Sequence, residues 1–317
     1  MAVNDGLIKF RHLVCLLEIV RQGSVSRAAE TLAIAQPALS RSLAELEEIV
    51  GAKLIERTRR GGRLTPAGED FYRYAAPGVA QIKQAYAAAS PGHGDRSTIV
   101  VGALPEAVAL LAGAMAALRD HLPRTALRVI HGTNADHLAS LRHGDISLVV
   151  GRIAASELLT GLAFEHLYSE AVCCVARPGH ALADRSLTAA ELANARLVLH
   201  QPDTIIRAEI DRYLFAQGVT ELADYFETDS MALARSLALD DERIWIAPMG
   251  VVSRDLAEGH LNSVGVRDWH IAASVGLTTN PQRKPTRAEE TLIGVLRKTA
   301  LATQVEGGAY RVQSSPI

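Results

Sequence analysis

Apolar residues recur at two different periods along this chain, and the change between them divides it. Near the N-terminus the period is helical. Phe10, Leu13, Val14, Leu17 and Val20 follow i, i+3, i+4, i+7 spacing. Val25, Ala28, Ala29 and Leu32 repeat it in a shorter segment, and Leu39, Leu43, Leu46 and Val50 form a third stripe. Gly23 supplies a stop after the first helix, and Ser24 an N-cap for the second. The short turn "AIAQ" joins the second to the third, and the small Ala28-Ala29 pair lets them approach closely. Such a pair is a helix-turn-helix, with its later helix pushed outward. Ile55 and Leu64 then bracket "ERTRRGGR", an extended run around Gly61-Gly62 that reads as a two-stranded wing.

Thr65 and Pro66 open a further helix. Phe71, Ala75, Val79, Ile82 and Tyr86 carry it to about Ala89 and form an apolar seam that needs a partner, most simply a twin helix. Pro77 lies inside this segment. It lacks an N–H and crowds the carbonyl of Arg73, which predicts a bend or break near residues 73–77. "SPGHGD" (90–95) reads as a hinge.

From Ser97 onward, strand and helix alternate. "TIVVGALPEAVALLAGAMAAL" is a strand, a turn and a helix, and "ALRVIHGTNADHLASLRHGDISLVVGR" repeats the unit. "EAVCCVA", "ERIWIA" and "ASVGL" add apolar strands. This alternation indicates an α/β fold with a mostly parallel sheet. Ligands of such folds sit beyond the carboxyl ends of the strands. Those points are Ala103-Leu104-Pro105, Gly132-Thr133, Gly151-Arg152, Gln201 to Thr204, and Asp229-Ser230. Arg152 directly follows the strand "ISLVV", and Thr133, Thr204 and Ser230 stand at helix starts. A guanidinium, hydroxyls and helix N–H groups together favour a small carboxylate. Ala103, Leu104, Pro105, Ile205 and Pro248 supply apolar walls, and Gln201 a further polar group. Plain helix capping is the competing role for the hydroxyls, and a surface charge for Arg152.

Charge sharpens this division. The net charge of −2 hides ten Lys and Arg against seven Asp and Glu in residues 1–65, a local +3, and 23 against 28 thereafter. A basic N-terminal unit on an acidic remainder is the layout of a nucleic-acid reader with a separate control domain. Gln36, Ser40 and Arg41 lie off the apolar stripe near the start of the third helix. In helix-turn-helix units this part enters the major groove, where Arg pairs with guanine and Gln with adenine. An ion pair with Glu45, four residues on, is the alternative for Arg41. Arg57, Arg59, Arg60 and Arg63 would hold phosphates from the wing. The expected DNA contacts are Ser24, Arg27, Gln36, Pro37, Ser40, Arg41, Arg57, Arg59 and Arg60.

Other classes find little support. The sequence has no GxSxG, GxGxxG, P-loop or HExxH motif, so no catalytic residue, cofactor or metal is expected. No apolar run reaches membrane-spanning length and the N-terminus lacks a signal-peptide layout, so a cytoplasmic location is expected. Cys15, Cys173 and Cys174 form no metal-binding spacing, and adjacent cysteines on a strand point to opposite faces and make poor disulfide partners.

The stretch from Ser24 to Gly68 resembles the LysR-type transcriptional regulators. The matching residues are Ser24 through Ala29 with Leu32, then "QPALS" (36–40), Leu46-Glu47, "GAKL" (51–54), Glu56-Arg57 and "LTPAG" (64–68). Two departures stand out: the family usually has Ser where Ala35 stands, and an aromatic residue at Ile55. A lost cap costs about 1 kcal/mol, so something else must serve that helix start. The resemblance implies an α+β multidomain chain. Residues 7–65 would be a winged helix-turn-helix and 66–90 a linker and dimerisation helix. Residues 97–302 would be a two-subdomain α/β effector domain like the periplasmic binding proteins, with 303–317 a flexible tail. Subdomain I would take about 97–165 and 267–302, and subdomain II about 166–266, with crossovers near 166 and 266. Implied partners are double-stranded promoter DNA, a small carboxylate effector, further copies of the chain (a homodimer through the linker, then a homotetramer) and RNA polymerase, with no membrane. "VGALP", "GLAFEHLYSEAV" and "IWIAPMGVV" are similar to regulators of protocatechuate and related aromatic-acid catabolism, which points to an aromatic acid or ring-cleavage product. Two alternatives remain at this stage: a thiol-based redox regulator of the same family, and a small-molecule-binding protein with no DNA role.

Overall fold

The computed structural model describes residues 8–58, 61–89, 98–183, 185–202 and 204–306. It divides into two compact units. One holds Met1–Ser97 with Ala139–Ile146 and Asn280–Lys284, and the other holds Thr98–Leu138, Ser147–Thr279 and Pro285–Ile317.

The first unit opens with three helices, α1 (Phe10–Gln22), α2 (Val25–Thr31) and α3 (Gln36–Val50). The three apolar stripes meet in one core, where Leu16, Ile19, Ala28, Leu39, Leu46 and Leu54 are buried. Gly23 ends α1 in the left-handed region (φ 59°), and the Ser24 hydroxyl accepts from the Arg27 N–H to start α2. Strands β1 (Ile55–Thr58) and β2 (Gly61–Leu64) form the expected wing, antiparallel, with Ile55 opposite Leu64. The Gly62 N–H donates to the Gly23 carbonyl at 3.1 Å, which ties the wing to the end of α1. A Cβ on Gly62 would lie 2.9 Å from Ile55 Cγ2, so glycine here makes room for the side chain at the departed aromatic position.

Helix α4 (Pro66–Ala89) follows. Thr65 Oγ1 donates to the Lys53 carbonyl at 2.6 Å and accepts from the Gly68 N–H at 2.9 Å. The helix runs without interruption through Pro77, so of the expected bend or break, a break is absent. Pro77 removes one donor from the carbonyl of Arg73, which sits on an exposed turn. Tyr72, Ala75, Ala76 and Val79 on both sides are buried in a cluster with Leu17 of α1, which supports both halves. The seam also needs correction. Phe71, Ala75 and Val79 pack within the unit, against α1. The large apolar side chains that α4 leaves exposed are Tyr74, Ile82 and Tyr86.

The rest of the chain is β3 (Thr98–Ala103), α5 (Ala107–His121), β4 (Ala126–His131), α6 (Asn134–His143), β5 (Leu148–Arg152), a 3-10 turn at Ser156–Leu159 and the long β6 (Ala163–Ala176). Then come β7 (Ser186–Leu187), α7 (Ala189–Ala193), β8 (Arg196–Leu199), α8 (Ile205–Ala216), β9 (Asp224–Glu227), α9 (Met231–Asp240) and β10 (Ile244–Pro248). Last are α10 (Met249–Ala257), β11 (Asn262–Val266), β12 (Ala272–Thr279) and α11 (Arg287–Glu306). The strands form one sheet in the order β4-β3-β5-β12-β6-β10-β8-β9, with β11 and β7 branching from β6. Each end is parallel: β3 with β4 and β5, and β8 with β9 and β10. The middle is antiparallel, because β12 and β6 run against their neighbours. Strand β6 belongs to both halves. It pairs with β12 through Ala171 and with β10 from Val172. The change of partner falls at 171–172. The chain returns to the first half between β11 and β12. One core, including Val101, Leu148, Leu277 and Leu296, serves the first half, and two more flank the second.

Among the described glycines of the first unit the tightest approach is at Gly68, where a Cβ would lie 2.0 Å from the Leu54 carbonyl oxygen. Gly68→Ala must displace backbone and should cost at least ~2 kcal/mol. The expected result is a lower thermal unfolding midpoint with weaker DNA binding. An unchanged midpoint would contradict this packing.

Candidate nucleic-acid interface and ligand cavity

The start of α3 is built without a side-chain cap. Ala35 is extended (φ −66°, ψ 137°), and its carbonyl accepts from the N–H groups of Ala38 and Leu39. Pro37, in the first turn, has no N–H to satisfy, which removes one of the donors that the missing serine would have served. Gln36, Pro37 and Arg41 are exposed there and Ser40 is half-buried. Ser26 Oγ donates to Gln36 Oε1 at 3.3 Å and steadies that amide. Glu45 faces Arg11 at 3.5 Å and His12 at 3.1 Å. Among the described residues, Arg41 has no hydrogen-bond or ion-pair partner. The Ser24 hydroxyl caps α2, and Arg27 Nη2 donates to the Gln22 carbonyl at 2.7 Å, so both expected DNA contacts also have structural work. Arg63 is exposed on the wing, whereas the Arg57 side chain, Arg59 and Arg60 lie outside the described residues.

Sequence reasoning missed the part that Glu47 plays. Its Oε1 accepts from the N–H groups of Leu54 (2.9 Å) and Ile55 (3.2 Å), and Oε2 pairs with Lys53 at 2.6 Å. Burial opposes the charge, but Lys53 and these donors outweigh it and hold the carboxyl below its usual range. The helix that presents Arg41 is thereby fastened to the root of the wing. The Leu46-Glu47 motif was visible in the sequence, but its contacts were not.

In the second unit, a cavity of about 730 Å³ opens at the carboxyl ends of the strands. Ala103, Leu104, Pro105, Thr133, Gln201, Thr204, Ile205, Ser230 and Pro248 all line it. Five helices, α5, α6, α8, α9 and α10, begin on its walls. The hydroxyls of Thr133, Thr204 and Ser230 accept from the third N–H of their own helices. The capping alternative is thus realised at these residues, and they line the cavity as well. Glu106, Asp136 and Asp229 stand on the wall, and among the described residues no Lys or Arg does.

Arg152 is the exception among the expected residues. It is 2% exposed, does not line the cavity, and faces carboxylates. Its Nε lies 2.7 Å from Glu106 Oε1, too poorly aligned for a hydrogen bond, and Nη2 lies 4.0 Å from Glu170 Oε2. A buried arginine is retained only with such partners, and the sequence did not reveal that two glutamates converge on it. Glu170 Oε1 accepts from the Gly250 N–H at 2.9 Å, at the start of α10. A Cβ on Gly250 would sit 2.5 Å from that oxygen, so glycine permits the contact. Burial, and then the neighbouring Glu106, push the Glu170 carboxyl up to about 8. Burial raises Glu106 too, with Arg152 pulling the other way. His200, buried on the cavity wall, is driven down to about 4 by burial and by the charges of Arg152 and Arg207. Arg207 Nη1 holds the His200 carbonyl at 3.0 Å.

The cysteines are buried and unpaired. Cys173 and Cys174 face different cores. Burial pushes Cys173 up to about 12 and Cys174 well above the usual thiol range. Burial and a raised pKa both disfavour the reactive thiolate, and two neighbours facing different cores are not placed to pair with each other. Among the described residues, no group of three or more His, Cys, Asp or Glu is placed to hold a metal, and no helix is long and apolar enough to cross a membrane.

A winged helix-turn-helix in one chain with a ligand-sized cavity at the switch points of a two-halved sheet defines a DNA-binding regulator with an effector domain. Residues 10–69 match the bacterial regulatory helix-turn-helix protein, lysR family, and residues 92–301 match the LysR substrate binding domain. The HTH-type transcriptional regulator PcaQ of Agrobacterium fabrum is 36% identical over 299 residues, 93% of this chain and 96% of that protein. Two solved structures share the fold, each with a TM-score of 0.63. They are a full-length OxyR variant from Pseudomonas aeruginosa (19% identity, covering 91% of this chain and 97% of that one) and full-length LysG from Corynebacterium glutamicum with bound effector Arg (18% identity, covering 93% and 99%). The chain belongs to the LysR family of transcriptional regulators. The families and relatives it matches are DNA-binding transcriptional regulators.

The raised Glu170 carboxyl gives stability a definite dependence on pH. In an unfolded chain a glutamate titrates near about 4.3. Between there and about 8 the folded chain keeps a proton that the unfolded chain releases. Glu170 therefore lowers stability progressively as pH rises through that window, and no further above it. Glu170→Gln, still able to accept from Gly250, should melt at a higher temperature than the parent chain at pH 8, with the gap closing toward pH 5. A gap that is constant or reversed would contradict the assignment.

Proposed function

We propose that this regulator reads its operator through the start of α3 and takes a small carboxylate, of aromatic or ring-cleavage type, in the sheet cavity. The division is 7–65 for reading DNA, 66–90 for joining two copies, 97–302 for the effector and 303–317 for a tail. Gln36, Pro37, Ser40 and Arg41 would meet base edges and phosphates in the major groove. Ser24 and Arg27, with Arg57, Arg59, Arg60 and Arg63 of the wing, would hold the backbone. The exposed Tyr74, Ile82 and Tyr86 of α4 suit a second copy. Higher assembly, contact with RNA polymerase and a cytoplasmic location belong to the same reading.

One observation carries the effector assignment: nine residues from five separate segments surround a single cavity of ligand size. With no Lys or Arg among the described residues of the wall, the attraction for an anion comes from the helix starts, whose N–H groups and dipoles favour negative charge. Arg152 sets up the floor from behind and is not itself the anchor. The sequence similarity to protocatechuate-type regulators, together with 36% identity to PcaQ, supports an aromatic acid or its ring-opened product.

The test is a DNase footprint on the intergenic DNA beside the gene, with and without a panel of aromatic and dicarboxylic acids. At least one acid should change the footprint, and a panel without effect at saturating concentration would remove the carboxylate assignment. On the same DNA, Arg41→Ala should lose ~1–3 kcal/mol of affinity and relax base preference. Arg63→Ala should weaken all sequences alike and flatten the salt dependence. Unchanged affinity and footprint in Arg41→Ala would show that α3 does not read the groove.

A further inference from the structure

The cavity floor carries polar atoms that its own chain does not satisfy. Glu106 and His200 are 5% and 3% exposed, and both line the cavity. Glu106 Oε2 and His200 Nε2 are buried without a hydrogen-bond partner, as is the amide nitrogen of Asn134 on the adjoining wall. Buried polar atoms are nearly always paired, and leaving them unpaired is costly. Around them the floor is apolar, made by Leu104, Ile206 and Pro248. The rim differs: there the helix starts offer N–H groups, and Asp136 and Asp229 are exposed.

We propose that the effector is a hydroxylated carboxylate, whose hydroxyl seats against Glu106 and His200 on the cavity floor while its carboxylate faces the helix starts at the rim. The proposal rests on the reading of this cavity as the effector site and adds the group that site selects. A carboxylate alone leaves Glu106 Oε2 without a donor and sets negative charge beside it. An ammonium would supply donors, but the charge of Glu106 is already met by Arg152 at 2.7 Å, and a second cation would sit against that guanidinium. A hydroxyl adds no charge. Its hydrogen goes to Glu106 Oε2, and its lone pairs accept from His200 Nε2–H or the Asn134 amide. A site that hydrogen-bonds a ligand hydroxyl rejects the analogue lacking it far more strongly than an apolar pocket rejects a missing methylene.

The experiment is calorimetric titration of the full-length chain with matched acids: benzoate against 3- and 4-hydroxybenzoate, succinate against malate, and 4-(aminomethyl)benzoate as the cationic control. In at least one skeleton the hydroxy acid should bind at least about tenfold more tightly than its parent. That ratio should collapse toward one in Glu106→Gln and in His200→Leu, each of which alters one floor partner. The ratio is read within one protein, so a general loss of stability in a variant does not imitate it, and the unsubstituted chain alone suffices if a variant fails to fold. Equal binding within every pair would overturn the hydroxyl assignment and leave the carboxylate reading standing. Tighter binding of the aminomethyl acid would overturn it in favour of a cation. No binding by any of these acids would overturn both.

Discussion

Strand β6 is the element on which both halves of the effector unit hang. A strand can satisfy its backbone groups on two edges, and β6 is long enough to change partners along its length, from β12 through Ala171 to β10 and β11 from Val172. The same strand presents Glu170 one residue before this change, Cys173 to one core and Cys174 to another. Because the halves share a continuous strand, their parallel ends point their carboxyl edges at a common space. The cavity is a consequence of that topology, and the helices that start on its walls follow from the connections between strands.

The buried charges answer to the same constraint. Arg152 ends β5 in the first half, Glu106 starts α5, and Glu170 reaches the start of α10 in the second. None of these groups is comfortable alone in a low dielectric. Together they are a partly satisfied network, whose value is in fixing arrangement more than in adding stability. Glu170 titrating near 8 is the sign of this: one arginine cannot keep two neighbouring buried carboxyls ionised.

Much of this was legible in the sequence because it is local. The three helices, the Gly23 and Ser24 boundaries, the wing and the extent of α4 are written in spacing and turn chemistry. Nine cavity residues followed from a rule about strand ends. What stayed hidden depends on contacts between distant segments. Arg152 looked like a free guanidinium because its carboxylate partners are 46 residues before it and 18 after it in the chain. The burial of Phe71, Ala75 and Val79 against α1 looked like a dimer seam for the same reason. Strands β8 and β9 are four residues each, too short for periodicity to declare. The continuity of α4 through Pro77 depends on flanks packed against α1, a contact that local backbone strain does not show.

On this reading, helix starts from both halves hold an effector inside the sheet unit. Hydrogen–deuterium exchange of the full chain, with and without the tightest-binding acid, tests it directly, because amide protection reports local opening segment by segment. Protection should rise together in 103–108, 131–136, 204–207 and 229–233. Protection confined to one half, or centred instead on the surface groove between Ala112 and Leu127, would contradict it.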